Sequence, residues 1–249
     1  MFCKSVLKKT RACTATALTS LFLIVTLAFS ILSSSLFLNG ELLEAIAPTA
    51  SAGSHGVVIV DAGHGGEDCG AIGINGCYEK DLNLEISRTL GEYLRRAGYT
   101  VVYTRTEDRL LYSEDQNIKG FRKIYDLKNR VAVADEYPSA LFISIHMNSF
   151  GKEKYSGLQV YYSTGNEESK RLADSIQSEA KERTQPENTR VPKPGRDIYV
   201  MENIENVGVL VECGFLSNAE ECQKLSEKEY QKELCFAILC GIISYSEDI

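Results

Sequence analysis

Short apolar runs alternate with amphipathic stretches along most of the chain, and this alternation is the feature that most constrains the fold. Apolar and β-branched runs predict five strands, at 57–61, 100–104, 140–146, 157–163 and 207–212. Leucine or isoleucine recurs at every fourth position within 81–98, which predicts a helix with Asp81 as N-cap and Gly98 at its end. Further helices are predicted near 126–136, over 167–183 and over 226–245, with an irregular connector at 105–125 and a loop at 190–197. This order predicts an α/β fold in which helices flank a mostly parallel, twisted sheet.

The first 52 residues have the composition of an export leader. Four basic residues within the first eleven precede an almost uncharged apolar stretch at 17–38, which is long enough to cross a bilayer. The segment TASAG at 49–53 offers a small-residue cleavage pattern, so a membrane anchor and a cleaved signal both stay open. We expect residues 1–52 to be this leader and its linker, with one N-terminal apolar helix, and residues 53–249 to form one domain outside the cytoplasm.

The charge balance and the cysteines narrow the class of protein further. The net charge is −7 at pH 7 although the leader is basic, which argues against a nucleic-acid partner bound through its phosphates. Six of the eight cysteines lie beyond the leader and form no C-x-x-C pair, so a cysteine-rich zinc site is not indicated. Cys69 and Cys77 bracket a glycine-rich loop and are candidates for a disulfide, whereas Cys213 should point into the core.

Three polar residues fall where predicted strands end. His64 follows the first strand, His146 ends the third and Glu212 ends the fifth. Functional loops of such sheets lie beyond the carboxyl ends of the strands, so we expect these side chains to meet. The segment GHGGEDCG around His64 lacks the spacing of a phosphate-binding loop, and its acidic residues would repel phosphate. The simpler alternative to a functional site is that His64 is a solvated histidine in a glycine turn and that Glu212 is a strand-end glutamate that reaches solvent.

Two histidines and one glutamate are an established ligand set for catalytic zinc, with a fourth position left for water. The carboxylate has two candidates in this sequence. The glycine-rich loop leads from His64 to Glu79, and Glu212 ends an apolar strand where a charge is costly unless it has a function. The residue pattern predicts a metal site and leaves the choice between these two glutamates open.

Four segments in order resemble the zinc-dependent N-acetylmuramoyl-L-alanine amidases of type 3. They are VDAGHGGEDCGAIG followed by EKDLNLEIS, then YTR, LFISIHMNS and VLVECGFLSNAEE, and the resemblance runs from residue 56 to the C-terminus. It implies a zinc-exopeptidase-like fold, with 53–249 as the catalytic domain. It also implies that His64, Glu79 and His146 hold one Zn²⁺ and that Glu212 is the catalytic carboxylate. The implied substrate is peptidoglycan, cleaved between N-acetylmuramic acid and L-alanine.

The segments DLKNR and IYVMEN are similar to those of the sporulation and germination-specific members. This similarity implies a role in spore cortex maturation, where muramic lactam forms, or in cell-wall remodelling. The protein would act in the cell wall or between the forespore and mother-cell membranes, secreted or held to the membrane by its apolar segment. The similarity leaves open whether the protein needs an activating lipoprotein partner. Two alternatives remain: another zinc amide or peptide hydrolase of the carboxypeptidase kind, and a non-catalytic murein-binding protein.

Weaker signals concern the surroundings of the site. Asn148, two residues after His146, and Arg105, which could meet a muropeptide carboxylate, are candidate substrate-binding residues. A histidine that binds a metal needs an acceptor for its second ring nitrogen. Asp61 is near in the chain, although the sequence does not identify the acceptor.

Overall fold

A six-stranded sheet organises residues 55–247, the part of the chain that the computed structural model describes. Its strands are β1 (Val57–Ala62), β2 (Thr100–Tyr103), β3 (Leu141–Asn148), β4 (Gln159–Tyr162), β5 (Lys193–Pro194) and β6 (Gly208–Phe215). The helices are α1 (Glu79–Arg96), α2 (Arg122–Asp135), α3 (Glu168–Arg183), α4 (Tyr199–Asn203), α5 (Ala219–Leu225) and α6 (Lys228–Glu247). A short 3₁₀ turn, Glu114–Gln116, lies in the connector between β2 and α2.

The order of the strands across the sheet is β2-β1-β3-β6-β4-β5. Strands β2, β1, β3 and β6 are mutually parallel, β4 runs antiparallel to β6, and β5 is parallel to β4. The predicted α/β fold with a mostly parallel sheet is therefore confirmed. In this order β1, β3 and β6 are neighbours, so their carboxyl ends meet at one edge of the sheet.

Alternation along each strand divides the side chains between two cores. On one face, apolar residues of β1, β3, β4 and β6 pack with α1, α3 and α6. On the other face, Ile59, Phe142 and Leu210 pack with residues of α2 and α4. Polar residues continue this second face toward the carboxyl ends of the strands, and they are Asp61, Ser144, His146 and Glu212. The register pairs Asp61 with Ser144 and His146 with Glu212, which brings the predicted site residues of β3 and β6 side by side.

Several boundaries differ from the prediction. Helix α1 begins at Glu79 with Tyr78 as N-cap, so Asp81 lies in its first turn and does not cap it. Helix α2 begins at Arg122, inside the stretch predicted to be irregular. Neither α4, α5 nor β5 was predicted, because elements of five, seven and two residues are too short to show a periodic pattern.

The predicted N-terminal apolar helix, the cleavage pattern and the boundary at residue 53 lie outside the described residues. Within residues 55–247, none of the helices combines the length and the apolar character that a membrane crossing requires.

Candidate metal centre

Side chains from three separate elements converge at the carboxyl edge of the sheet. His64 follows β1, His146 lies near the end of β3, and Glu79 is the first residue of α1. Glu79 Oε1 is 3.2 Å from His64 Nε2 and 3.0 Å from His146 Nδ1, and one ligand atom from each residue lies within 4.8 Å of the others. The structure thus brings together the two histidines and one of the two candidate glutamates.

This donor set fits zinc. Tetrahedral Zn²⁺ with bonds of about 2.0–2.1 Å places neighbouring ligand atoms about 3.3 Å apart. The two spacings measured here, 3.0 and 3.2 Å, are close to that value. Two imidazole nitrogens and one carboxylate oxygen also leave a fourth position free, as in catalytic zinc sites.

At two positions of the loop only glycine fits, because the side chains of the candidate ligands lie so close to the backbone. A Cβ at Gly63 would overlap the imidazole ring of His146. A Cβ at Gly70, where φ is +65°, would lie 2.5 Å from Glu79 Oε2 and 2.8 Å from His64 Cδ2. His64 itself adopts a left-handed conformation, with φ of 59°, which is uncommon outside glycine and clusters at functional sites. The glycine-rich segment therefore lets the backbone pack directly against the candidate ligands.

Glu79 is fixed by the backbone on both sides. Ala71 N donates to Oε2 at 2.7 Å and Met147 N donates to Oε1 at 3.1 Å. The residue is only 3% exposed. Burial acts to raise the pKa of Glu79, but hydrogen bonds and charge from His146 and His64 outweigh burial and hold the pKa well below its ordinary value. Glu79 is therefore ionised at any ordinary pH and ready to bind a cation.

The second nitrogen of His64 has a carboxylate partner. His64 Nδ1 lies 2.9 Å from Asp68 Oδ2, which also pairs with Lys123 Nζ at 3.0 Å. This contact directs Nε2 toward Glu79. Asp61, the neighbour suggested by the sequence, instead accepts hydrogen bonds from Thr104 Oγ1 and Ser144 Oγ, both at 2.6 Å.

The contacts of His64 predict how metal binding depends on pH. Burial acts to lower the pKa of His64, but its hydrogen bonds to Asp68 and Glu79 outweigh burial and raise the pKa to about 9. A metal ion has to displace this proton, so apparent zinc affinity should rise about tenfold per pH unit until the pH approaches this pKa. Competition against a chelator, measured from about pH 6 to pH 9, would check this. In Asp68→Asn the rise should level off at a lower pH, and an affinity that stays constant over this range would contradict the prediction.

Glu212 pairs with His146 in the sheet and lies outside the group of three residues that could hold a metal ion. Its Oε2 is enclosed and has no hydrogen-bond partner among the described residues. Burial raises the pKa of Glu212 to about 7, with the charge of His146 opposing this shift and that of Glu79 adding to it. A carboxyl group that titrates near neutral pH suits proton transfer.

A cleft of about 390 Å³ is lined by His64, His146 and Glu212, by residues of α2 and by the segment 197–200. Glu212 and two of the three candidate ligands therefore face the same cleft.

The sequence and the fold are similar to those of known proteins. The sequence profile of a family described as N-acetylmuramoyl-L-alanine amidase matches residues 58–244. The chain belongs to this amidase family. The predicted resemblance and the predicted fold class are both confirmed.

One relative of known sequence and two solved structures show what the chain is similar to. The germination-specific N-acetylmuramoyl-L-alanine amidase of Bacillus subtilis is 36% identical over 189 residues, 76% of this chain and 79% of that protein. The solved CwlD amidase of Clostridioides difficile, in complex with the GerS lipoprotein, is 38% identical with a TM-score of 0.74, covering 78% of this chain and 99% of that one. A solved amidase of Clostridium difficile 630 is 28% identical with a TM-score of 0.68, covering 78% of this chain and 98% of that one.

Arg105 of the amidase has a different environment from the one its candidate role requires. It is 2% exposed, and its guanidinium donates to the carbonyl oxygens of Ala62, Gly63, Lys80 and Glu107. All these contacts are inside the protein, so Arg105 supports the loop around His64 and does not face a substrate carboxylate. The sequence did not show this, because the contacts come from the path of the chain after β2.

Arg130 supports the same loop from α2. Its guanidinium pairs with Asp61 and Asp126, and it donates to the carbonyl oxygens of Ala62 and His64 at 2.8 Å. These buried bonds hold the backbone on both sides of Gly63. The left-handed conformation of His64 is thus fixed by its surroundings.

Asn148 and Cys213 complete the set of predicted residues. Asn148 ends β3 after an irregularity in the register, and its carbonyl accepts a hydrogen bond from Leu216 N at 2.8 Å. Its contact with substrate stays a prediction. Cys213 is fully buried in the core, as predicted from its position next to Glu212.

Proposed function

We propose that this amidase holds one zinc ion through His64, Glu79 and His146 and uses Glu212 to cleave the amide between N-acetylmuramic acid and L-alanine in peptidoglycan. One observation carries the proposal. One candidate ligand atom from each of the three residues lies within 4.8 Å of the others, and Glu212, whose enclosed Oε2 has no hydrogen-bond partner among the described residues, lies next to His146 on the neighbouring strand. Family membership supplies the reaction and the substrate.

An amide is a slow substrate because its carbonyl is a weak electrophile and its amine is a poor leaving group. Zinc at this site would supply Lewis acidity, which polarises a carbonyl and makes a water molecule acidic near neutral pH. Glu212 Oε2 would accept the proton of the attacking water, which its raised pKa favours. The same oxygen would then donate that proton to the nitrogen of L-alanine as the bond breaks. Asp68 would keep His64 oriented throughout.

Product analysis tests this reaction against the two alternatives. Purified peptidoglycan is digested with the zinc-loaded full-length protein, and the fragments are identified by mass. The proposal expects free stem peptides that begin with L-alanine, together with glycan whose muramic acid carries no peptide. Loss of single C-terminal amino acids would indicate a carboxypeptidase. Sedimentation of the protein with intact peptidoglycan without any release of fragments would indicate a binding protein.

We further propose a role in spore cortex maturation or wall remodelling, outside the cytoplasm. The similarity to a germination-specific amidase supports this role. The CwlD amidase was solved in complex with the GerS lipoprotein, which supports a lipoprotein partner for this chain as well. The apolar stretch at 17–38 would hold the protein at the membrane. Fractionation with an antibody to the C-terminal domain should place the full-length chain with membranes, whereas a soluble form that begins near Gly53 would show that the leader is cleaved.

A further inference from the structure

Two cysteines that are distant in sequence lie in contact near the metal site. The Sγ atoms of Cys77 and Cys222 are 3.8 Å apart, and the two residues are separated by 145 positions. The bridge between Cys69 and Cys77 suggested by the sequence is not present, and Cys69 Sγ donates to the carbonyl oxygen of Gly70 instead. All six cysteines of the described residues are thiols in this structure.

The contact belongs to a wider attachment between the end of the glycine-rich loop, residues 73–77, and the residues that flank α5 on both sides. Ile74 N donates to the carbonyl oxygen of Leu216 at 3.1 Å, and Asn75 Nδ2 donates to Ser226 Oγ at 3.1 Å. Inside the loop, Gly73 N donates to the carbonyl oxygen of Cys77 at 2.8 Å, which closes a tight turn. These bonds hold the Cys77 side chain over α5 without help from the sulfur atoms.

Gly73 leaves the space that the two sulfurs occupy. A Cβ at this position would lie 2.6 Å from Cys77 Sγ and 2.7 Å from Cys222 Sγ. Any other residue at position 73 would therefore push the two side chains away from their contact. The absence of a side chain at Gly73 keeps both thiols in one small space.

We propose that Cys77 and Cys222 form a disulfide in the exported protein, and that this bond clamps the end of the glycine-rich loop onto α5. A disulfide needs an S–S distance of about 2.05 Å, so the two sulfur atoms, now 3.8 Å apart, have to approach each other by roughly 2 Å or less. Cys77 is partly exposed, whereas Cys222 is only 1% exposed. Cys77 is therefore the residue that an external reagent reaches first.

The reaction is an exchange with a disulfide donor of the thiol–disulfide oxidoreductase class. The sulfur of Cys77 attacks one sulfur of the donor disulfide, forms a mixed disulfide and releases the first donor thiol. The sulfur of Cys222 then attacks the sulfur of Cys77 and releases the second donor thiol. Two protein S–H bonds are replaced by one S–S bond, and the two protons and two electrons leave with the reduced donor.

The clamp would act close to the proposed metal ligand Glu79, because Glu79 follows Cys77 by two residues and begins α1.

The crosslink closes a long segment of chain, and long closed segments favour a large gain in stability. For a domain of this size we expect the thermal midpoint to rise by roughly 5 °C or more on oxidation.

Mapping of the crosslink tests the bond itself. Full-length protein, purified under reducing conditions, is treated with glutathione disulfide and digested without reduction. We expect a mass loss of about 2 Da and a peptide pair that contains Cys77 and Cys222. This peptide pair should be absent from Cys77→Ser and from Cys222→Ser, and present in the matched control Cys240→Ser. A folded wild-type protein that yields no such pair, or that pairs Cys77 with Cys69, would overturn the proposal.

Thermal unfolding tests the clamp. The midpoint of the oxidised wild-type protein should exceed that of the reduced protein, and Cys222→Ser should show no difference between the two conditions. Cys240→Ser should keep the full difference. A crosslink that forms without raising the midpoint would overturn the clamp, and none of these readouts depends on hydrolytic activity.

Discussion

Glu212→Gln should reduce hydrolysis of peptidoglycan by about 100-fold or more, because glutamine keeps the shape of the side chain but cannot accept a proton. The zinc content should stay near that of the wild type, since Glu212 is outside the group of three residues that we propose as ligands. Activity and bound zinc are measured on the same preparation, the second by elemental analysis.

A matched substitution and a stability measurement complete this experiment. Glu205→Gln, at an exposed glutamate in the loop before β6, should keep both activity and zinc.

Because burial raises the pKa of Glu212 to about 7, the folded protein loses stability as the pH rises from the ordinary carboxyl pKa of 4.5 through 7. Glu212→Gln removes this cost, so the variant should be at least as stable as the wild type above pH 7. Lost zinc would make Glu212 a ligand, and near-normal hydrolysis would assign the proton transfer to another group.

His146→Ala should remove most of the bound metal and with it the activity. Loss of a residue that only orients a ligand costs about 10–100-fold in metal affinity, so loss of a ligand nitrogen should cost more than that. Zinc per chain after dialysis is the direct measurement. The fold should survive, because the side chain of His146 faces the cleft and is not part of either hydrophobic core.

His55→Ala is the matched control for this substitution. His55 is exposed and packs against the ring of Tyr99, away from the cleft. This variant should keep its zinc and its activity. If His146→Ala retained one zinc per chain, His146 would not be a ligand.

The positions of His64, His146 and Glu212 were predictable because strand ends follow from short apolar runs. A parallel sheet brings the ends of neighbouring strands together, and the register of His146 with Glu212 is the result. The choice of Glu79 as the third member of the group was not predictable from periodicity. The fold of the glycine-rich loop decides it, and the resemblance to known amidases indicated it in advance.

The surroundings of the site were less predictable. The contact between Asp68 and His64 depends on the left-handed conformation of His64 and on a tight turn, which spacing does not reveal. The spacing of four residues between a histidine and an aspartate in a glycine-rich segment was the available signal. The burial of Arg105 was not expected because an arginine is usually exposed, whereas here backbone carbonyls from three separate segments accept hydrogen bonds from all of its guanidinium nitrogens.

Every role assigned to this cleft depends on one metal ion held by His64, Glu79 and His146 with Glu212 left free. An anomalous difference map, measured at the zinc absorption edge on crystals of the zinc-loaded protein, tests this most directly. The expected result is one strong peak within bonding distance of His64 Nε2, Glu79 Oε1 and His146 Nδ1, and no bond to Glu212. A peak that included a bond to Glu212, or one that lay away from these three atoms, would contradict the assignment.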